Sequence, residues 1–462
     1  MIDKMKQIKI LALGGLLLAA FSFQGMSQEA LTLEQSRKLA LEYNHKIKIA
    51  DELIAESESN VSLAMTQFLP NLSFSGSYNY MHDIDDIAFP GFFLPTAESA
   101  EAGQKGDYSG TSDVYFPGLN MKMGNIDYFR GGLSLSQPIY MGGKIRSAYN
   151  MTKIGRQISH YNRNLQTSDV IVETDQAYWN MVSIKEKVQM ADKYVEMLTA
   201  LVNDLQNAYD LELTTKNELL KAKVQLNQAK LNQFKTANGY ELSKMALCQV
   251  IGKDLMSNVE VSDTVVAVDD YKIQKDYMGK ALAQRPELLM LGKQVELNAE
   301  EVKSTNADYM PQLGAGASYT QISDVNDLIE STGSLMVQAQ LSVPIFHWRE
   351  RKHKVAAAKH RKAQQELELE RTRDLIQLEV QQSYFNLLEA NKQIELAETS
   401  MDQAEENVTL MKNSFYEGVA NTTELLDAQA FWQQAYSELI DAKINFKLRE
   451  VSFLKAIGEL TK

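Results

Sequence analysis

Two hydrophobic periods alternate along the chain. From Asn71 to Tyr80, NLSFSGSYNY, every second residue (Leu72, Phe74, Gly76, Tyr78, Tyr80) is apolar, aromatic or glycine, and those between are Asn or Ser. A period of two sustained over such a length predicts a strand with one apolar and one wet face. Residues 129–140 repeat the pattern, with Phe129, Gly131, Leu133, Leu135 and Ile139 against Ser134 and Ser136, and residues 312–320 and 334–346 supply two more such strands. Elsewhere the period lengthens. Residues 139–285 and 345–462 contain no proline, are rich in good helix formers, and space apolar residues by three and four, as in Leu375, Leu378, Tyr384, Leu387, Leu388 and Ile394. Apart from Gly155, no strong breaker interrupts Lys144 to about Asp210 or Arg349 to about Tyr416. Each predicts a helix of roughly 65 residues, about 100 Å at 1.5 Å per residue, which does not fit inside a globular domain.

The pattern occurs twice. Asn413 to Trp432, NSFYEGVANTTELLDAQAFW, has an earlier copy in Asn207 to Leu226, NAYDLELTTKNELLKAKVQL, so that Glu218 and Glu424 stand 206 residues apart. The same offset pairs Ala177-Tyr178-Trp179-Asn180 with Ser383-Tyr384-Phe385-Asn386, and Gln137-Pro138-Ile139-Tyr140 with Val343-Pro344-Ile345-Phe346. Self-similarity at a fixed distance means two tandem halves. In each half the long helix reaches a turn and a second helix returns. Gly418 is the expected C-cap in the second half, with Glu212 in its place in the first, where a less sharp turn is expected. Asn421, Thr422 and Thr423, and Thr214 and Thr215, are the expected N-caps of the returning helices.

Residues 1–27 read as a signal peptide: a basic start (Lys4, Lys6, Lys9), an apolar run from Ile10 to Phe23, and a small-x-small site at Gly25-Met26-Ser27. The domain reading that follows is a first repeat over 28–255 with its hairpin turn near 210–217, a linker over 256–275, and a second repeat over 276–462 with its turn near 416–422. A net charge of −13 with 44% hydrophobic residues suits a folded acidic protein and lacks the basic footprint of nucleic-acid binding. The lone Cys248, within the pattern Leu242, Met245, Leu247, Val250, excludes a disulfide framework and reads as a small buried hydrophobe. Catalytic motifs are lacking: there is no HExxH and no phosphate loop, and no metal or cofactor site is expected. His82, Asp83, Asp85 and Asp86 in the long Met81–Tyr128 segment read as a solvated external loop. A basic cluster after the last strand (Arg349, Arg351, Lys352, Lys354, Lys359, Arg361, Lys362) fits contact with anionic headgroups or acidic neighbours.

After residue 27 there is no run of eighteen apolar residues, so entry into a membrane has to be through strands of a closed barrel. Four strands cannot close, since single-chain barrels begin at about eight. The chain therefore has to share a barrel with copies of itself, two or three of which satisfy the count. The competing reading is a periplasmic coiled-coil adaptor or structural protein with neither strands nor pore.

Several motifs together carry a family resemblance. They are Pro138-Ile139-Tyr140 followed by Gly142-Gly143, the Phe415-Tyr416-x-Gly418 turn leading into Glu424-Leu425-Leu426-Asp427-Ala428-Gln429, and the openings Leu31-Thr32-Leu33-Glu34-Gln35 and Ala281-Leu282-Ala283-Gln284-Arg285-Pro286. With the signal peptide and the two halves, they resemble the TolC-like outer-membrane efflux protein family over essentially all of the chain after residue 27. The resemblance implies a mixed α/β membrane protein of two tandem repeats, each with two transmembrane β-strands and long α-helical coiled hairpins. It further implies a homotrimer whose 12-stranded β-barrel in outer-membrane lipid continues as a periplasmic α-barrel. Such a protein is the passive channel component of a tripartite efflux or type I secretion system, docked on a periplasmic adaptor (membrane fusion) protein and an inner-membrane transporter. On that reading Ser73, Ser75, Ser77, Ser134 and Ser136 line the lumen. Glu424 and Asp427, with Glu218, form an acidic periplasmic gate, Lys221 standing where the first half lacks a second acid. Phe415, Gly418, Thr422, Tyr209 and Thr214 form the hairpin turns that meet the adaptor.

Overall fold

The computed structural model describes residues 30–84, 87–97, 101, 104–107, 109–110, 113–121, 124–264, 276–324 and 331–460. The expected signal peptide, most of the expected linker, and Asp85 and Asp86 lie outside the described residues. In chain order the elements are β1 (Ala30–Leu31), α1 (Leu33–Tyr43), α2 (His45–Thr66), β2 (Asn71–Ile84), β3 (Ile87–Phe89), β4 (Phe92–Pro95), β5 (Asp113–Phe116), β6 (Leu119–Met121), β7 (Gly124–Met141), α3 (Lys144–Asp210) and α4 (Lys216–Val250). They continue with β8 (Glu260–Val261), α5 (Tyr277–Gln284), α6 (Pro286–Ala307), β9 (Gln312–Asp324), β10 (Thr332–Ser342), α7 (Glu350–Tyr416) and α8 (Thr422–Ala456). Two compact units result, residues 1–59, 152–299 and 360–462 in one and residues 60–151 and 300–359 in the other, so each unit draws on both sequence repeats.

In the unit of residues 60–151 and 300–359, four antiparallel strands form a sheet in the order β10-β9-β7-β2. The alternation places polar residues in register across it: Ser73 faces Ser134, which faces Ser318, and Asn71 faces Ser136, which faces Gly316. The other face carries Leu72 opposite Leu135 and Phe74 opposite Leu133. Both β2 and β10 are edges within one protomer. β2, β7 and β9 outrun the alternating segments read from the sequence, because ladder pairing continues past the point where the alternation lapses, as in Met81 opposite Ile126. β10 instead ends at Ser342, opposite the first residue of β9, four residues short of the expected 346. Pro138 lacks an N–H, and the β7–β9 register shifts beside it, between Pro138 and Tyr140. In the long segment after β2 the described residues form two short ladders, β3–β6 and β4–β5, with Phe92 stacked on Phe116 and Phe93 against Tyr115.

The other unit is helical. The hairpins α3–α4 and α7–α8 pack around three apolar clusters. One gathers Val170, Tyr178, Met181, Leu247, Ile251 and Ile440 with Leu31 and Ala40; another lies near the hairpin turns (Leu201, Leu205, Leu219, Leu425, Trp432); the third is built on Val380, Leu387, Phe446 and Phe453. The motif residue Tyr178 is fully buried and donates to the Leu31 carbonyl at 3.0 Å and to Asp263 at 2.8 Å, and burial pushes its pKa up to about 12. Cys248 is buried, as read from its helical pattern. The returning helices are anchored alike. Asn44 Nδ2 donates to the Val250 carbonyl at 2.8 Å, and Arg285 Nη1 donates to the Ala456 carbonyl at 3.2 Å. Among the described residues no helix is long and apolar enough to cross a membrane.

Candidate channel face and inner hairpin tips

The polar face of the sheet is built of small side chains. Ser73 and Ser134 share a 2.7 Å hydroxyl–hydroxyl hydrogen bond, Ser75 lies opposite Gly132, and Ser136 lies between Asn71 and Gly316. The alternation in β9 and β10 extends the row through Ser318, Thr320, Gln338 and Gln340. Ser77 lies opposite Arg130, a cation whose place on this face the strand pattern did not single out.

At the turns the structure corrects one expectation. Gly418 is left-handed with φ +73°, and Glu212 adopts the same conformation with φ +60°. The hydrogen bonds also coincide: Leu213 N to Ala208 O (2.8 Å) and Glu212 N to Tyr209 O (2.9 Å) match Val419 N to Ser414 O (2.8 Å) and Gly418 N to Phe415 O (3.1 Å). Both helices end in the same two-bond cap, so the first turn is as sharp as the second. The N-caps are Thr215 and Asn421. Thr214 stands one residue before its cap, and Thr422 is buried as the first residue of α8, which keeps it from direct surface contact. Phe415 packs on the cluster near the turns, whereas Tyr209 and Gly418 are exposed.

The acidic positions differ in their surroundings. Glu424 closes a capping box: Asn421 N donates to Glu424 Oε2 at 2.8 Å, and Thr423 N and Glu424 N donate to Asn421 Oδ1 at 2.9 and 3.1 Å. Its carboxylate thus caps the helix while remaining exposed. Asp427 is exposed three residues on, along an open groove of about 570 Å³ that Lys221, Leu220, Val224 and Thr423 also line. Glu218 accepts from Lys221 Nζ at 3.1 Å, and the same ammonium reaches Thr423 Oγ1 at 3.4 Å. The first half therefore neutralises its own acid, and the second leaves two anions at the surface. A further link was missed in the sequence. Tyr416 donates its hydroxyl to Asp204 Oδ2 at 2.6 Å, tying the last turn of α7 to α3, and this bond raises the phenol's pKa. Because the two residues lie 212 positions apart, nothing local in the sequence signals their pairing.

The profile of the family described as "Outer membrane efflux protein" matches residues 37–253 and 277–459. The chain belongs to this family. Among relatives, the efflux protein is 22% identical over 427 residues to the alkaline protease secretion protein AprF of Pseudomonas aeruginosa, covering 90% of this chain and 82% of that protein. It is 21% identical over 355 residues to the outer membrane protein TolC of Escherichia coli, covering 73% and 70% of the two chains. Of solved structures, the CmeC outer membrane channel of Campylobacter jejuni aligns with a TM-score of 0.73 at 20% identity, over 92% of this chain and 85% of that one. The open state of the Neisseria gonorrhoeae MtrE outer membrane channel aligns with a TM-score of 0.72 at 17% identity, over 93% and 89%. The fold is that of the trimeric outer-membrane channels, combining β-strands in the membrane with periplasmic helices. This efflux protein is accordingly an outer-membrane channel of an efflux or secretion system, working with other components of that system, and it is not an enzyme. The coiled-coil adaptor reading is thereby set aside.

Proposed function

We propose that three copies form a passive conduit whose lumen is lined by the Ser73, Ser75, Ser77, Ser134 and Ser136 face, and which receives substrate at the hairpin tips from a periplasmic adaptor and an inner-membrane transporter. The observation that carries this reading is the small or polar row Asn71, Ser136, Gly316 and Gln338 across all four strands, flanked by Ser73, Ser134 and Ser318 on three of them. Such a surface hydrates a passage without building a pocket that would retain a solute. At the inner end, Glu424 and Asp427 repeated by threefold symmetry give rings of negative charge, which favour cations and repel anions. Phe415, Tyr209 and the two left-handed turns form the tips that meet the adaptor. Exposed Leu211, Leu213 and Val419 at the turns support that assignment, since apolar groups at a hairpin tip gain by being covered.

The test is single-channel conductance of the detergent-purified protein in a planar bilayer, with multivalent cations on the periplasmic side. Glu424→Gln with Asp427→Asn removes both charges, and Gln still serves the capping box. Cation block is expected to weaken on the order of tenfold, equivalent to about 1.4 kcal/mol. Pores with unchanged block would remove these residues from the gate and leave the conduit standing, whereas a water-soluble rod without pores would overturn the conduit itself.

A further inference from the structure

The alternation that builds the polar face also places one charge on it. Arg130 is the only lysine or arginine in the four strands of the sheet, residues 71–84, 124–141, 312–324 and 332–342. It has the parity of Ser134 and Ser136, so its side chain leaves β7 on the face of the serines. The ladders set it in the row Ser77, Arg130, Ile322 and Thr332, in which nothing is acidic. Asp127, three residues back on β7, belongs to the opposite face and accepts from the Tyr78 hydroxyl at 3.1 Å. Arg130 itself is exposed and has no acidic partner among the described residues. Its depth follows from the strand. Every helical connection to the sheet enters at one end, at Asn71, Met141, Gln312 and Ser342. From Met141 to Arg130 the strand advances roughly 36 Å at about 3.3 Å per residue. At the ~45° tilt usual for membrane strands this is about 25 Å of rise, the height of a barrel's apolar band. At the same level on the apolar face, the rings of Tyr78 and Phe129 pack with centroids 4.9 Å apart, an aromatic pair of the kind that marks a membrane–water boundary. Arg130 therefore stands at the outer rim, away from the helices.

We infer that Arg130, one from each copy, is a specificity-determining residue at the outer mouth of the conduit, where its guanidinium engages carboxylate, phosphate or sulfate groups of passing solutes. The inference rests on the lumen proposed for the serine face. A guanidinium is always charged, and its fork of donors fits two oxygens of such a group at once. Gly132, the next residue of β7 on the same face, leaves the approach to it open. Range decides which solutes respond. At 0.1 M salt a charge is felt over about 10 Å, so three guanidinium groups on the wall of a wide barrel leave the axis almost untouched. They act on solutes that come to the wall and carry several negative charges, while monovalent ions pass. The mouth is then opposite in sign to the inner tips, where Glu424 and Asp427 are exposed.

The experiment is planar-bilayer recording of the full detergent-purified protein, with inorganic tripolyphosphate added to the extracellular side. Wild-type pores are expected to be blocked at about 0.1 M salt and released at about 1 M, where charges are screened within about 3 Å. Arg130→Ser should weaken the block on the order of tenfold, the loss of a charged hydrogen-bonded contact, and Arg130→Lys should keep part of it. Glu424→Gln with Asp427→Asn should leave this outer block in place. Serine already occupies nearby positions on this face, so the substitution suits the strand, and pores of undiminished conductance would show that the variant folds. Arg130→Cys gives a second reading, because Cys248 is buried. A cationic thiosulfonate reagent applied to the open pore should restore the block, and an anionic one should not. Pores whose block is unchanged by Arg130→Ser would overturn the inference while the conduit stands. A block that emerges only with Asp324→Asn would overturn it too, since Asp324 pairs with Tyr128 two residues along and would then be what neutralises the guanidinium. Absence of any pore would remove the conduit and the inference together.

Discussion

Glu212 and Gly418 hold the same left-handed backbone with very different side chains. Glycine visits that region freely, whereas a residue with a Cβ is disfavoured there by about 1 kcal/mol or more. Glu212→Gly is therefore expected to stabilise the first turn by roughly 1 kcal/mol, and Gly418→Ala to destabilise the second by a similar amount. Amide hydrogen exchange at Leu213 and Val419 would read each change locally. Gly418 was legible as a cap because glycine announces one. Glu212 was not, because its backbone is set by the bonds from Leu213 and Glu212 to Ala208 and Tyr209 and not by its own preference. The tip bond from Tyr416 to Asp204 makes a second prediction. Its phenol is raised above the ordinary value of 10, chiefly by the carboxylate that accepts from it. The bond's contribution is thus fully present below pH 10 and is lost as pH rises through the raised value. Tyr416→Phe should remove about 1 kcal/mol from the packing of the α7 end on α3, read as faster amide hydrogen exchange in the last turn of α7 at neutral pH. Unchanged exchange there would show that the bond does not hold the two helices together.

At the scale of elements, the long helices were read to within a residue or so, since uninterrupted good formers leave little ambiguity about a span such as Lys144–Asp210. Strand ends were read less well, because a ladder ends where its partner ends, and β10 stops where β9 begins. The anchoring of the returning helices lay beyond local pattern. Asn44 and Arg285 occupy corresponding places, and each donates to a carbonyl near the end of its returning helix. Arg285 does more, since it also forks onto Glu379 at 3.0 and 3.1 Å and onto Glu287 at 2.8 and 3.0 Å. Asn44→Ala should cost about 1–2 kcal/mol, the loss of one hydrogen bond and its desolvated carbonyl. Arg285→Ala should cost roughly 3 kcal/mol, because a guanidinium-filled site empties and two carboxylates lose their partner. Urea unfolding of the detergent-solubilised protein, followed by helical circular dichroism, would rank the two; equal effects would deny the extra role of the carboxylates.

For the molecule as a whole, the twofold pattern was plain in the sequence, and the way it folds was not. Each compact unit takes its residues from both repeats, because β7 and β9, one from each repeat, are hydrogen-bonded neighbours in one sheet. The chemistry of the polar face could be read from alternating serines, since strand geometry converts a period of two into two faces. Arg130 shares the parity of Ser134 and Ser136 and so falls on that face by the same alternation, but its partner Ser77 is set by the β2 ladder and not by the pattern. The two open edges of the sheet have a genetic consequence. A channel that must draw every wall from separate copies is only as good as its worst copy. In a cell making equal amounts of intact and edge-damaged chains that mix freely, only about one channel in eight is wholly intact. Lesions on β2 or β10 should therefore behave as dominant, while a lesion that keeps a chain from being made at all should be recessive.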